Sequence, residues 1–549
     1  MAQTKRALSA ALAVLLIFSL AACGGGNTQT SGGGSTSDAP KILNIHIDVE
    51  AASLRPQIAT DGTSFEVIAS FLEGLYSIDG AGTPYPCIAE SYEMADDGLE
   101  YIFKLRDAQW SNGDPVTAHD FVFAWRLAVD PETASEYAYI IDTAGVKNAA
   151  EIANGDMAVD SLGISAVDDK TLKIELAFPV PYFLPLMSFP TFYPVNQKFY
   201  EECGENFATA PEYLLANGPF KVTSFQQMAT SIDLVKNETY YNADQVLIDG
   251  LHYQVIKDSQ QAMLSYQNGD LHIATLSGEQ SENFASDPEY TPIMAGYLWF
   301  ISPNTEVEGL GNVNLRRAMA LSFDKSAIVN NILKDGSIVA DFAVPSQFAT
   351  GPDGKDYRAT SATYLSTNKD LAKEYFETAK EELGMDTFSY AMLVEDTESA
   401  LNVAQFLKAQ IEENLPGLTI AIESMPKATR LNRMEGKDYE LGLTRWGPDY
   451  ADPMTYLDLW ITGAQNNFGN WTNARYDEII ASAKSGDLAV DPEARWEALK
   501  EAEAIIMDEA GIFPIYQKGN AELVKSTVKG IEWHSVGLNR VFKNVTIAD

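Results

Sequence analysis

The chain has 549 residues, with 38 Lys and Arg against 77 Asp and Glu, a formal net charge of −39. Phosphate backbones and anionic lipid repel such a balance, which excludes nucleic acid as a partner and a body lying flat on a membrane. Its 46% apolar content, with 25 Phe, 25 Tyr and 8 Trp, is globular rather than disordered, and length alone predicts about three to four domains.

The first 22 residues carry Lys5 and Arg6, then the apolar run Ala7 to Leu20, and end at Leu20-Ala21-Ala22-Cys23. The run is shorter than the roughly 20 residues that span a bilayer, and small residues precede the cysteine as cleavage requires. Residues 1–22 therefore read as a lipoprotein signal peptide, with Cys23 as the lipidated first residue of the mature chain. Residues 23–40, rich in Gly, Ser and Thr, read as a flexible tether spanning about 20–25 Å. With Cys23 acylated, only Cys87 and Cys203 remain. No disulfide framework supports the fold, and the two thiols are expected to be buried and inert, a single bridge being the alternative.

From Lys41 to Ile47 the chain alternates, Leu43, Ile45 and Ile47 opposing Asn44 and His46, which predicts a strand with one buried face and a structural His46. Leu99 to Arg106 alternates again and is stopped by the turn Trp110-Ser111-Asn112-Gly113-Asp114-Pro115. Thr117, three residues before Asp120 and ahead of Phe121, Val122 and Trp125, predicts a capped helix. Asp130-Pro131 and Asp491-Pro492 place an acceptor and a preset φ at two further helix starts. The second helix is expected to run from Asp491 to Glu509 and to be followed by a strand over Gly511 to Tyr516. Tyr476, Ile479, Ile480 and Ala483 form a core-facing helical stripe. Strand and helix signals mix throughout residues 41–549, with no repeat or low-complexity tract, which indicates α/β or α+β architecture.

The sequence has no GxxxxGK, HExxH, GxSxG or CxxC, so nucleotide-driven, zincin, α/β-hydrolase and zinc-site chemistries lose support. Paired carboxylates for glycoside hydrolysis carry no signal among so many acids. One segment concentrates unusual chemistry. After the strand-like Tyr439 to Thr444 come Arg445-Trp446-Gly447-Pro448-Asp449-Tyr450-Ala451-Asp452-Pro453. This is either a binding loop on a strand end or a surface turn with Trp446 as a core plug. Asp452 reads as a solvated neighbour of the other groups.

Glu73-Gly74-Leu75-Tyr76, Ala89-Glu90-Ser91-Tyr92 and Phe103-Lys104-Leu105-Arg106 are followed by Trp110-Ser111-Asn112-Gly113-Asp114-Pro115-Val116-Thr117-Ala118-His119-Asp120-Phe121. Asn217-Gly218-Pro219-Phe220, Asn237 to Tyr241, and Asn314-Leu315-Arg316-Arg317-Ala318-Met319 through Asp324-Lys325 come later. In this order the segments resemble the solute-binding proteins of ABC peptide importers, the oligopeptide- and dipeptide-binding class, over about residues 43–540.

The resemblance implies an α/β, periplasmic-binding-protein-like (type II, cluster C) fold, two large lobes around a ligand cleft plus a smaller inserted domain. Lobe I would comprise 41–61, 190–300 and 515–549, the inserted domain 62–189, and lobe II 301–514. It implies a peptide-binding site in which Asp449 pairs with the ligand α-ammonium, with Trp446, Arg445, Gly447 and Glu50 beside it. Pro448 removes one backbone donor from this loop. It further implies no catalytic residue, metal or cofactor, a monomer, and an extracytoplasmic location anchored through Cys23. The partners would be a peptide and the permease subunits of an ABC transporter. A lipid-anchored glycoside hydrolase, a same-fold binder of a nickel complex, haem or oligosaccharide, and a peptide-pheromone sensor are the alternatives.

Overall fold

A computed structural model describes residues 39–226, 229–464 and 466–548. The signal peptide, Cys23 and nearly all of the tether lie outside the described residues.

An 11-stranded sheet organises the chain. Its spatial order is Leu418–Met425, Phe388–Glu395, Leu441–Trp446, Tyr290–Pro303, Phe513–Val524, Ile273–Thr275, Ile42–Ile47, Gly250–Val255, Ser231–Lys236 and Phe220–Ser224, with Ile338–Val339 added to Phe513–Val524. Ile42–Ile47 pairs in parallel with Gly250–Val255, Ile42 opposite Gly250, and Ile45 meets Ile273 on its other edge. Parallel strands in such a sheet are covered on both faces. That is why His46, expected on an open face, is only 3% exposed. Its ring Nε2 lies 2.8 Å from the Ile256 carbonyl, and its Nδ1 accepts from the Thr275 N–H. The ring therefore stitches neighbouring strands, the structural role anticipated for it.

The helix Ser259–Asn268 connects two parallel-side strands, and Glu398–Asn414 joins Phe388–Glu395 to its parallel partner Leu418–Met425. These βαβ units put helices over the sheet. A separate four-stranded antiparallel sheet, Ala89–Met94, Glu100–Leu105, Thr171–Glu175 and Ile164–Asp168, falls wholly within residues 62–189. Tyr101, Phe103 and Leu105 are buried and Lys104 is exposed, as the alternation requires. The helix Ala118–Val129 starts at Thr117, whose N–H donates to the Asp120 carboxylate at 2.8 Å. Pro492–Asp508 is the long helix predicted from Asp491-Pro492, whereas Pro131 opens only the single 3₁₀ turn Pro131–Thr133. In the latter case Ala134 already turns left-handed. The stripe Tyr476, Ile479, Ile480 and Ala483 is fully buried on Ala474–Ser485. Cys87 and Cys203 are both free. Cys87 is buried, but Cys203 is only partly so, contrary to expectation.

Two long strands, Tyr290–Pro303 and Phe513–Val524, pair antiparallel through the middle of the sheet, with a register shift between Met294 and Leu298. An apolar core built from Ile301 to Tyr516 is distinct from the larger core that begins at Leu43 and reaches Val545.

Candidate functional site

The strand Leu441–Trp446 ends where the unusual segment begins, so Arg445 and Trp446 are strand residues and Gly447 to Pro453 form the loop. The loop is pressed against the irregular part of Tyr290–Pro303. A Cβ on Gly447 would lie 2.4 Å from the Tyr297 ring, and one on Gly296 would lie 2.5 Å from Pro448. Only glycine permits these approaches. Tyr456 adds a hydrogen bond from its hydroxyl to the Gly296 carbonyl.

Asp449 is half-buried in this packing. Its N–H donates to Thr455 Oγ1 at 3.0 Å, and its carboxylate accepts from the Tyr139 hydroxyl at 3.3 Å. It forms no ion pair among the described residues. Burial, with the charge of Asp458 nearby, pushes its carboxyl up to about 7, against the Tyr139 hydrogen bond that favours the ionised form. Burial likewise lifts Asp458 to about 6, although Lys484 opposes the shift. Tyr297 and Tyr139 leave 45% and 47% of their surfaces open, unusual for residues so close to packed carboxylates. Exposed aromatic faces beside an unpaired carboxylate suit a cation that is itself partly apolar.

The other anticipated residues are distributed differently. Arg445 donates to Glu395 at 2.8 Å and stacks over Trp299 at 4.8 Å, so its charge is committed on the opposite side of the strand from Trp446. Trp446 packs at the edge of the larger core with its indole N–H buried and without a hydrogen-bond partner. Glu50 is paired with Lys257 at 2.9 Å, whose hydrogen bond holds its carboxyl below the ordinary range, and its ion pair is with that lysine and not with a group of the Asp449 loop. Asp452 is not solvated. It is 6% exposed and receives both Arg495 Nη1 and Nη2 at 2.8 Å.

A cavity of about 190 Å³ opens at the carboxyl ends of Ile42–Ile47 and Ile273–Thr275. The carboxyl ends of parallel strands are the usual place for ligands in open α/β sheets. Asp48, Glu66, Ala295, Glu522, Trp533, His534 and Arg540 are among the residues that line it. Arg540 pairs with Glu66 through Nε and Nη2, both at 2.8 Å, and reaches Glu522 at 3.2 Å. Tyr139, Tyr297, Asp458 and this cavity are not legible in the sequence, because only the folded chain brings residues 139, 297, 449 and 458 together. Of the residues around the Asp449 carboxylate, the sequence signals only those of the segment Arg445 to Asp452 itself.

Residues 83–468 match the model of the bacterial extracellular solute-binding proteins, family 5 Middle. The chain is 31% identical over 530 residues to a dipeptide-binding protein of Lactococcus lactis subsp. cremoris (strain MG1363), covering 94% of this chain and 96% of that protein. It is 32% identical over 535 residues to the oligopeptide-binding protein OppA of Bacillus subtilis (strain 168), covering 94% and 95%. Among solved structures, the peptide-bound OppA of Listeria monocytogenes superposes with a TM-score of 0.76 at 32% identity, over 93% of this chain and 100% of that one.

Proposed function

The chain belongs to the bacterial extracellular solute-binding proteins of family 5, binding proteins with the periplasmic-binding-protein-like α/β fold, and from that premise we propose that it captures peptides and delivers them to an ABC transporter permease. The observation that carries the reading is Asp449: a carboxylate with no cationic partner among the described residues, raised to about 7 and flanked by open tyrosines. A peptide α-ammonium supplies the missing charge, and every unmodified peptide has one. Extended peptide backbone hydrogen-bonding to loop and strand edges adds affinity without sequence selection. Trp446 and Gly447 shape the loop, while Arg445 holds the strand that leads into it through its ion pair with Glu395.

The lobe division at 62, 190, 300 and 515 is part of the proposal. The antiparallel pair Tyr290–Pro303 and Phe513–Val524 crosses between the two sides, its irregular register giving a place to flex as the lobes close. Cys23 as the lipid anchor belongs to the same reading. No helix among the described residues is long and apolar enough to cross a membrane.

The test is a binding cycle. Asp449→Ala should weaken an oligopeptide by about 30-fold to several thousand-fold, because removing one partner of a desolvated charge pair costs about 2–5 kcal/mol. N-acetylating the peptide should cost the wild type a similar amount, and the two losses should overlap instead of adding. Additive losses by isothermal titration, or tight binding by the variant, would take Asp449 out of the site.

A further inference from the structure

A cavity of about 430 Å³ lies between the hairpin around Asp79 and Tyr85, the end of Glu100–Leu105 at Arg106, the segment 240–246, and the C-terminal residues Glu532, Lys543 and Asn544. It shares no lining residue with the cavity at the carboxyl ends of Ile42–Ile47 and Ile273–Thr275, and Asp449 lines neither. Its volume is that of a ligand pocket, not of a packing defect.

Its cation is unusual. The Arg106 guanidinium lies over the Tyr241 ring at 4.3 Å, with Nε buried and unpartnered. Of the twelve arginines among the described residues, it alone gives its guanidinium to no hydrogen bond or ion pair, in a chain where acids outnumber bases two to one. Stacking fixes the plane of the guanidinium and leaves its N–H edge free for a planar oxyanion.

A carboxylate also lines the cavity. Glu532 takes a hydrogen bond from Asn544 on Oε1, but its buried Oε2 accepts none. The His534 ring stands 4.0 Å from Oε2, and burial lowers its pKa, so it brings no charge to the carboxylate near neutral pH. The remaining charges are committed. Lys543 pairs with Glu73 at 3.5 Å, and Asp79 caps its own turn through the Ala81 and Thr83 N–H groups. The Arg106 guanidinium lines the cavity without an anionic partner, and the accessible Glu532 Oε1 has lone pairs to accept a second donor beside Asn544, so the cavity sets one uncommitted cation against one carboxylate.

We propose that this cavity is a second binding site, for a zwitterionic α-amino acid, with its carboxylate on Arg106, its ammonium on Glu532 and its side chain in the remaining volume of the cavity. The site is additional to the peptide-binding role of the Asp449 loop and does not depend on it.

Titrating the mature chain with L-phenylalanine, N-acetylphenylalanine and phenethylamine tests this. L-Phenylalanine should bind at up to millimolar affinity and the two half-ligands at least about tenfold more weakly, a factor worth about 1.4 kcal/mol each. Arg106→Gln should weaken L-phenylalanine at least about tenfold, Glu532→Gln should weaken it several-fold, and Asp449→Ala should leave it unchanged. If Arg106→Gln fails to fold, Glu532→Gln and the N-acetyl comparison decide. The proposal is overturned if L-phenylalanine shows no binding at about 10 mM, if neither variant changes its affinity, or if its binding disappears in Asp449→Ala.

Discussion

Asp449 and Asp452 stand three residues apart in one loop and meet opposite fates. Asp452 is buried against a bidentate guanidinium, with the Met454 N–H as a further donor. Asp449 has a single tyrosine hydroxyl on its carboxylate and a second acid, Asp458, near enough to raise its pKa. A buried charge that is paired holds structure, whereas one left unpaired is a cost that a bound cation relieves. The loop thus carries one carboxylate that fastens it to the helix Pro492–Asp508 and one that remains available to a ligand.

The largest effect should come from breaking the fastening. Asp452→Ala strands Arg495, which is only 3% exposed, and should cost about 3–5 kcal/mol in chemical denaturation. Asp449→Ala should leave unfolding stability unchanged or raise it while losing peptide binding. If Asp449→Ala destabilised the fold as much as Asp452→Ala, the division of roles between the two carboxylates would be wrong.

Much of the fold is legible in the sequence because its signals are local. The alternation at Leu43, Ile45 and Ile47, the Thr117 to Asp120 spacing, Asp491-Pro492 and the stripe from Tyr476 to Ala483 each report their own element. What fails is non-local. His46 reads correctly as structural, but its near-complete burial is not legible, because nothing nearby shows that both faces of its strand are covered in the folded sheet. Asp452 reads as solvated because Arg495 is 43 residues away in the chain. The Asp130-Pro131 pair misleads for a different reason: a preset φ starts a turn there, but the residues that follow do not extend it. Asp449 stands out through its company of Trp446, Gly447 and Tyr450, yet its electrostatic character depends on Tyr139 and Asp458, which sequence does not place beside it.

The pH dependence of binding sharpens the contrast. With the Asp449 carboxyl at about 7, protons compete with the ligand ammonium, so peptide affinity should fall by up to about tenfold per unit as the pH drops below 7. It should fall again above about pH 8, where the peptide α-amino group loses its proton. Titrations from pH 5 to 9 should therefore give a maximum near neutrality, and N-acetylated peptide should lack it. A flat profile for the unmodified peptide would mean that Asp449 does not meet the ammonium.

The smallest effect isolates the repulsion that keeps Asp449 poised. Asp458 titrates at about 6 in the folded chain against an ordinary 3.8, so between about pH 4 and 6 the native state holds a proton that the unfolded chain has released. Stability contributed by this group therefore rises as pH falls through that window and is lowest above it. Asp458→Asn keeps the shape and removes the charge. It should stabilise the protein by about 1–3 kcal/mol at pH 8, with the gain shrinking toward zero near pH 4. Removing this charge also removes one cause of the raised Asp449 pKa, so the acid limb of the binding profile should move to lower pH. Both readouts come from one variant, and an unmoved acid limb despite a stability gain would show that burial alone, without Asp458, sets the titration of Asp449.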